Sequence, residues 1–442
     1  MLDTGGTYPR NDKNEVMKIV NIVPGFGGTF YCGNCLRDSG FASALRKAGH
    51  DAMILPVYLP LTIRGDMHET PVFYGAVNIY LKQVFPFLRH MPGWMEHLLN
   101  SAPLLKLAAS KAGSTRAQGL EELTESMLMG KQGHQGKELE ELIFFLKHHE
   151  KPDIVHFSNA LLLGMAKQIR EEVGVPVVCS LQDEDVWVDA MNEPYPGKIW
   201  GLLAEKARDV DAFVAVSHYF AGVMKQKMQL PAEKVHIVHI GVNPSEYEYF
   251  PDPPIKPAIG YLSRIYEDNG FAVLVDAFIL LKSRPGFENL ELHASGGMTG
   301  DDKAFFHLQA KKLQQAGIEK DLAVYKDFGP ENLGDFFKSV SVLSVPVLKG
   351  EAFGLYQLEA LASGVPLVQP ALGAFPEIIE ETGGGLLYQP NTPEALAGCL
   401  ESILNDKSRL RQFSASGRKA VEEKFECSLL TAKMLEVYKK IL

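Results

Sequence analysis

Short runs of apolar, often β-branched residues alternate with amphipathic stretches along most of the chain, a pattern typical of parallel α/β layers. The alternation stops near residue 243 and begins again at residue 258. It predicts strands at 18–23, 52–57, 153–157, 175–181, 213–217 and 235–240, and then at 258–262, 290–294, 323–328 and 342–347. We therefore predict two Rossmann-like domains in series.

Helices are predicted between these strands, and one more at the end of the chain. They cover 36–48, 161–173, 197–209, 271–282, 305–316, 333–340 and 355–363. The final stretch, 429–442, has apolar residues at helical spacing and needs a surface to pack on, so we expect it to return to the first domain.

The segment "NPSEYEYFPDPPIKP", residues 243–257, is rich in proline and has no periodicity, which indicates a linker. The predicted domains are 17–245 and 255–425. Since "MKIVNIVPG" is a natural start for a first strand, residues 1–16 are interpreted as a leader outside the fold.

Residues 83–150 interrupt the alternation of the first domain and are predicted to be a helical insertion. Its part at 82–116 combines apolar residues with basic ones: Lys82, Arg89, Lys106, Lys111 and Arg116. Such a segment could lie on an anionic membrane surface, or it could pack on the sheet with its basic face in water.

Composition narrows the class of protein. Hydrophobic residues make up 46% and charged residues 22%, as in globular proteins, and the net charge of −10 argues against nucleic-acid binding. No apolar run is long enough to span a bilayer, and the five cysteines fit a reducing compartment, so we expect a cytoplasmic protein. Cys32 and Cys35 form a C-x-x-C, but nearby glycines favour a ligand loop over redox or metal chemistry.

Parallel sheets bind ligands at the carboxyl ends of their strands, where three segments carry candidate chemistry. The first, "PGFGGTFYCGN" at 24–34, is glycine-rich, so its backbone can approach a ligand closely. It lacks both the G-x-G-x-x-G spacing of dinucleotide binders and the lysine of a P-loop.

The second segment contains two glutamates eight positions apart, in "GEAFGLYQLEALASGVP" at 350–366. The helix predicted to begin after Gly354 would offer the unpaired N–H groups of residues 354–356 to a phosphate. Glu351 could accept hydrogen bonds from a sugar, and Glu359 could hold both hydroxyls of a ribose. Alternatively, Glu351 only places a favourable negative charge at the helix start, and Glu359 is a solvated helix residue.

The third segment, "GYLSRIYEDNG" at 260–270, places Arg264 at a strand end. A guanidinium there could reach the same diphosphate, because its planar donors match phosphate oxygens. Taken alone, Arg264 is better explained as a surface ion-pair partner.

Together these segments resemble the retaining glycosyltransferases of family 4, which have the GT-B fold and an E-x(7)-E signature. The stretch from "SVPVLKGEAFG" to "GGGLLYQP" carries the strongest similarity, and "GGTFYCGNCLRD", "VAVSHYFAGVM" and "GYLSRIYEDNG" extend it along the chain. The resemblance implies two Rossmann-like domains facing across a cleft, with the acceptor held by the first and the nucleotide-sugar donor by the second.

The resemblance also implies the site residues. Glu351 would contact the transferred sugar, Glu359 the ribose and Arg264 the diphosphate. Catalytic positions would be Glu351, Arg264 and Gln182, and donor contacts would come from Gly27, Gly28, Arg264, Lys349, Glu351, Phe353, Gly354, Leu355, Tyr356 and Glu359.

This chain departs from the family pattern in three places that matter. Asn269 stands where a second phosphate-binding cation is common, so that cation is either absent or supplied from elsewhere, with Lys349 as one candidate. Gln182 stands where many members have histidine, and Asn243 stands where an aspartate is common. Asp183 or Glu184, next to Gln182, could position the acceptor or could equally be surface acids.

The implied function is transfer of a sugar from a nucleoside-diphosphate sugar to a hydroxyl acceptor on a glycan, lipid or small molecule. Because no Asp-x-Asp motif stands in the expected place, no metal and no cofactor are expected. A glycoside hydrolase, a nucleotide-sugar epimerase and a non-catalytic sugar-nucleotide binder remain alternatives at this stage.

Overall fold

Each half of the chain forms one parallel sheet of six strands in the computed structural model, which describes residues 16–25, 31–58, 117–326 and 332–442. The first sheet contains β1 (Lys18–Val23), β2 (Asp51–Pro56), β3 (Ile154–Phe157), β4 (Val177–Leu181), β5 (Ala212–Ala215) and β6 (Val235–Ile237). The second contains β7 (Ala258–Leu262), β8 (Glu291–Ser295), β9 (Leu322–Val324), β10 (Val342–Leu343), β11 (Leu367–Pro370) and β12 (Gly385–Tyr388). Their orders are β2-β1-β3-β4-β5-β6 and β12-β11-β10-β7-β8-β9.

Helices connect the parallel strands, as crossovers of this kind require. Among the described residues, the α-helices of five residues or more are α1 (Gly33–Lys47), α2 (Glu121–Leu128), α3 (Gly136–Phe145), α4 (Glu184–Val188), α5 (Tyr195–Lys206), α6 (His218–Lys227), α7 (Phe271–Lys282), α8 (Lys303–Gln315), α9 (Leu333–Ser339), α10 (Leu355–Ala362), α11 (Phe375–Thr382), α12 (Pro393–Leu404), α13 (Lys407–Lys424) and α14 (Cys427–Ile441). The predicted helix at 161–173 is irregular: it runs from a 3₁₀ segment (Ala160–Met165) through one α turn (Ala166–Gln168) into a π segment (Ile169–Val173).

The central strands are buried on both faces, which explains why they appear in the sequence as apolar runs instead of alternating patterns. Every residue of β3, β4 and β5 is buried in the first sheet, and the same holds for β7 and β11 in the second. The fold is therefore the predicted α/β architecture of two Rossmann-like domains.

The last helix, α14, packs against the first sheet beside α1. Its Leu430, Met434 and Tyr438 share an apolar cluster with Ile19 and other residues of that sheet. The hydroxyl of Tyr438 also lies 2.5 Å from Nδ1 of the buried His156 on β3. The end of the chain thus covers the domain in which the chain began.

Several strands end earlier than predicted because a residue has another role. Ser217 does not extend β5; its hydroxyl accepts the N–H of Phe220 and so caps α6. β6 stops at Ile237, and His239 beyond it contacts Glu377 of the second domain at 2.7 Å. β10 has only two residues, after which the chain turns toward the loop that carries Glu351.

The helical insertion is described only in its second part. Residues 117–150 contain α2, α3 and shorter helical turns. The basic and apolar segment 82–116 lies outside the described residues, so membrane contact there stays a prediction. Within the ranges described, no helix combines the length and the hydrophobicity needed to cross a membrane.

Candidate functional site

A cleft of about 240 Å³ lies between the two domains, at the carboxyl ends of strands from both sheets. It brings together most of the predicted site residues: Gln182, Arg264, Lys349, Glu351, Phe353, Gly354, Leu355 and Tyr356. Tyr31, Asn34 and Asp183 of the first domain also line it. Gly27 and Gly28 lie outside the described residues, so their contact with phosphate stays a prediction.

The start of α10 faces this cleft. Gly354 precedes the helix with a φ of +80°, a left-handed conformation that a side chain would strain. Leu355 and Tyr356 occupy the first turn and line the cavity, and the first turn contains no acidic residue. The free N–H groups of a first turn and the helix dipole together favour an anion at this place.

Phe353, predicted among the donor contacts, is almost completely buried. Its ring lies against His239 and Phe425, with centroids 5.9 and 6.3 Å away, and its carbonyl accepts a hydrogen bond from Gln357. Phe353 therefore anchors the loop before α10 in the interface between the domains.

Glu351 lies on the loop before α10, and close packing fixes its backbone. Its carbonyl accepts the N–H of Ala374, and a Cβ added to Gly373 would lie 2.4 Å from the nitrogen of Glu351. The hydroxyl of Tyr356 donates to its carboxyl group at 3.1 Å. The side chain of Glu351 is thus held by Tyr356, which lies in the first turn of α10.

Two carboxyl groups from different domains meet near this point. Burial, followed by repulsion from Asp183, raises the pKa of Glu351. Burial also raises the pKa of Asp183, although Asn34 donates to its carboxyl at 3.2 Å and favours the charged form. The pair therefore holds a proton to a higher pH than two isolated carboxyl groups would.

Glu359 is buried inside α10, with only 1% of its surface exposed, and it does not line the cleft cavity. Its two oxygens accept hydrogen bonds from two tyrosines: Tyr31 of the first domain at 2.5 Å and Tyr247 of the linker at 2.9 Å. A ribose at Glu359 would have to compete with these hydroxyls. The predicted role of Glu359 is therefore compatible with its position only if a tyrosine gives way.

Arg264 lies at the end of β7 and is held by an acidic partner from the start of α8. Its Nε and Nη2 donate to the two carboxyl oxygens of Asp302 at 2.8 and 3.0 Å, and Nη2 also donates to Thr299 at 3.0 Å. Burial opposes the charge of Asp302, but its hydrogen bonds with Arg264 and Thr299 hold its pKa below the ordinary value. This pair fixes a charged guanidinium at the edge of the cleft.

Asn269 and Lys349 show how the departure from the family pattern is accommodated. The side-chain amide of Asn269 donates to Ser263 at 2.8 Å and to the carbonyl of Arg264 at 3.1 Å, so it supports the loop of Arg264. Lys349 lies 3.3 Å from Asp268, with 66% of its side chain exposed. Compared with Arg264, Lys349 is therefore a solvent-exposed charge.

Gln182 and Asp183 are presented to the cleft from the end of β4, whereas Glu184 is not. The amide nitrogen of Gln182 donates to the carbonyl of Ser158 at 2.8 Å. Glu184 is buried and accepts the backbone N–H groups of Ala160 and Gln182 at 2.8 and 2.7 Å. Of the two acids that could position an acceptor, Asp183 is therefore the one with access to it.

Sequence reasoning missed the partners of the predicted residues. The pattern "TGDD" at 299–302 was the available signal for Asp302, because threonine followed by an acid three residues later marks a capping box. No local signal pointed to Tyr31, whose contact with Glu359 spans 328 positions. Within the described ranges, no cluster of three or more His, Cys, Asp or Glu could hold a metal ion.

Comparison with known families covers both domains. The model described as "Glycosyl transferases group 1" matches residues 247–420, and "Glycosyltransferase Family 4" matches residues 130–246. An uncharacterized glycosyltransferase of Methanocaldococcus jannaschii is 21% identical, over 66% of this chain and 76% of that protein. A D-inositol 3-phosphate glycosyltransferase of Xylanimonas cellulosilytica is 29% identical, over 52% of this chain and 56% of that protein. This match thus spans little more than half the length of that relative.

Solved structures support the fold over nearly the whole chain. Sucrose-phosphate synthase from Thermosynechococcus elongatus has a TM-score of 0.71 at 16% identity, covering 96% of this chain and 98% of that one. The Anabaena protein HepE in complex with UDP-glucose has a TM-score of 0.65 at 14% identity, covering 96% and 99%. The family matches and this architecture identify the chain as a member of the family 4 glycosyltransferases with the GT-B fold.

Proposed function

We propose that this glycosyltransferase uses a nucleoside-diphosphate sugar, retains the configuration of the transferred sugar and needs no divalent metal. The observation that carries the proposal is the meeting of three groups in one cleft: the start of α10, Arg264 and Glu351. A helix start and a fixed guanidinium suit a diphosphate, and a carboxyl group beside them suits sugar hydroxyls. HepE was crystallised with UDP and with UDP-glucose, which makes UDP-glucose the first donor to test.

The proposed reaction makes use of this placement of charge. The bond between the anomeric carbon and the diphosphate oxygen breaks, and the acceptor oxygen bonds to the same face of that carbon. The acceptor proton passes to the departing phosphate oxygen. Negative charge grows on the leaving group, where the N–H groups of α10 and Arg264 stabilise it more in the transition state than in the bound donor.

Asp183 is the first-domain group that suits the acceptor. It lines the cleft, and Asn34 fixes its carboxyl group. A carboxylate accepts a hydrogen bond from a hydroxyl and so orients the attacking oxygen. Two points stay predictions: the identity of the acceptor, and a location in the cytoplasm at the inner face of the membrane.

The test is a panel of UDP, GDP and ADP sugars, each measured for its effect on thermal unfolding and for transfer to candidate acceptors. A ligand at about 100 times its dissociation constant should stabilise the protein by about 2.7 kcal/mol. The proposal expects one base to stabilise strongly and the matching sugar to appear on an acceptor as the same anomer. Stabilisation without any transferred sugar, or a rearranged donor of unchanged mass, would contradict it.

A requirement for metal is tested separately. Transfer should proceed unchanged in the presence of a strong chelator, because the cationic groups at the diphosphate are Arg264 and the helix start. Loss of transfer with chelator and recovery on adding Mg²⁺ or Mn²⁺ would overturn metal independence alone.

A further inference from the structure

The C-x-x-C of the first domain lies at the start of α1, directly beside the donor cleft. Cys32 is the residue that caps α1, and its Sγ accepts the backbone N–H of Cys35 at 3.4 Å. Both thiols are free, and Cys32 lines the cleft. The sulfur of Cys32 thus faces the backbone nitrogen of Cys35, and Cys32 lines the cleft.

The two thiols have different environments. A hydrogen bond with the Cys32 thiol, followed by burial, raises the pKa of Cys35 well above its ordinary value. Cys35 is therefore kept as a neutral thiol behind Cys32. The backbone N–H of Cys35 points at the Cys32 sulfur, which caps the helix.

The short segment through the two cysteines contacts both sides of the cleft. Tyr31 donates its backbone N–H to the carbonyl of Gly296 at 2.8 Å and its hydroxyl to Glu359. Asn34, between the cysteines, donates to Asp183. Gly33 lies so close to Leu355, at the start of α10, that an added Cβ would be 3.4 Å from the Cβ of Leu355. A change at the sulfurs therefore reaches the donor and acceptor groups directly.

We propose that Cys32 and Cys35 form a reversible disulfide, and that closing it weakens binding of the nucleotide in the adjacent cleft. The oxidant is an external disulfide of low molecular weight. The Cys32 thiolate attacks one of its sulfurs and releases one thiol; Cys35 then loses its proton and attacks the mixed disulfide at Cys32, which releases the second thiol. The protein loses two electrons and two protons, and the external disulfide gains them as two thiols.

Weaker binding follows from the restraint on Tyr31. When a ribose replaces the Tyr31 hydroxyl at Glu359, Tyr31 has to yield, and Tyr31 directly precedes the turn that carries Cys32 and Cys35. A disulfide fixes the sulfur of Cys32 at about 2.05 Å from that of Cys35 and so stiffens this turn. This part of the inference rests on the proposed donor site.

The experiment uses the whole chain in a series of reduced and oxidised glutathione mixtures, with mass spectrometry after alkylation and calorimetric titration with UDP. We expect a single two-electron transition that converts the peptide with Cys32 and Cys35 from two alkylated thiols to an internal disulfide. We expect UDP to bind the oxidised protein several-fold more weakly than the reduced protein.

Variants make the result specific. Cys32→Ser keeps a good capping side chain and should abolish both the transition and the redox dependence of UDP affinity, as should Cys35→Ser. Cys399→Ser, on α12, should keep both. Two alkylated thiols throughout the series, or a disulfide that leaves UDP affinity unchanged, would overturn the inference. Failure of the reduced protein to bind any nucleoside diphosphate would instead refute the donor site, while the masses would still decide whether the disulfide forms.

Discussion

The hydroxyl of Tyr31 lies 2.5 Å from Oε2 of Glu359 and so connects the start of the first domain to the helix that carries the second glutamate. Tyr247 holds the other oxygen of the same carboxyl group at 2.9 Å. Glu359 is thus satisfied without a ligand. Donor binding at this residue must exchange a protein hydroxyl for a ribose hydroxyl.

Removing the hydroxyl of Tyr31 should therefore strengthen nucleotide binding. In Tyr31→Phe, UDP no longer competes for Oε2 of Glu359, which should improve binding by about 1 kcal/mol, or roughly fivefold. The measurement is calorimetric titration with UDP and with its 2′,3′-dideoxy form. The dideoxy nucleotide should gain nothing, and an equal gain for both nucleotides would show that Glu359 does not hold the ribose.

The two glutamates should respond differently to the same substitution. Glu351→Gln should abolish transfer while leaving UDP affinity largely intact, because Glu351 is expected to contact the transferred sugar only. Glu359→Gln, in the same motif, should weaken the binding of UDP itself. Titration with UDP beside an assay of transfer separates the effects, and equal loss of UDP binding in both variants would refute the role given to Glu351.

Arg264 should contribute more to diphosphate binding than Lys349. Arg264 is fixed by Asp302, whereas Lys349 is largely exposed and its charge is screened. Arg264→Ala should weaken the binding of UDP by about 1.5–3 kcal/mol, the range for hydrogen bonds to charged groups. Lys349→Ala should cost less than about 1 kcal/mol.

The reverse ranking of these two variants, measured by titration with UDP, would make Lys349 the phosphate ligand. Asp302→Asn offers a further check, because it keeps the shape of the partner but loosens the guanidinium. It should weaken UDP binding without removing the positive charge.

Glu184 should make stability depend on pH. Burial raises its pKa from 4.5 to about 8, so between these values the folded protein binds a proton that the unfolded chain does not. The stability that this proton contributes is fully present below the pKa of Glu184 in the unfolded chain. It is lost as pH rises through the pKa in the folded protein, with a slope of about 1.4 kcal/mol per pH unit.

Urea unfolding at several pH values between 6 and 8 measures this effect. The free energy of unfolding of the wild type should fall relative to that of Glu184→Gln as pH rises. Glu233→Gln changes an exposed glutamate and should follow the wild type. A constant difference between wild type and Glu184→Gln would show that Glu184 does not titrate in this range.

The features that the sequence predicted well are local ones. The buried strands and the glycine-to-helix transition at Gly354 are each encoded within a few neighbouring residues, through apolar runs and one glycine. Strand ends were wrong where a side chain acts elsewhere, as Ser217 does in capping α6.

The contacts that control the site could not be predicted, because they join distant segments. Arg264 forms its hydrogen bonds with Asp302 on another element, and Glu359 contacts Tyr31 only because the two domains face each other. Such pairs depend on how the domains pack, and the pattern of apolar and polar residues within one segment does not reveal that packing. For the same reason Glu184, adjacent to Asp183 in the chain, could not be recognised as a buried structural residue.

A crystal structure of the protein with bound UDP would show directly where the donor binds. We expect the diphosphate in the cleft between the domains, with its oxygens accepting N–H groups from Leu355 and Tyr356 and lying within reach of Arg264. A diphosphate bound away from the start of α10, with the cleft unoccupied, would contradict it.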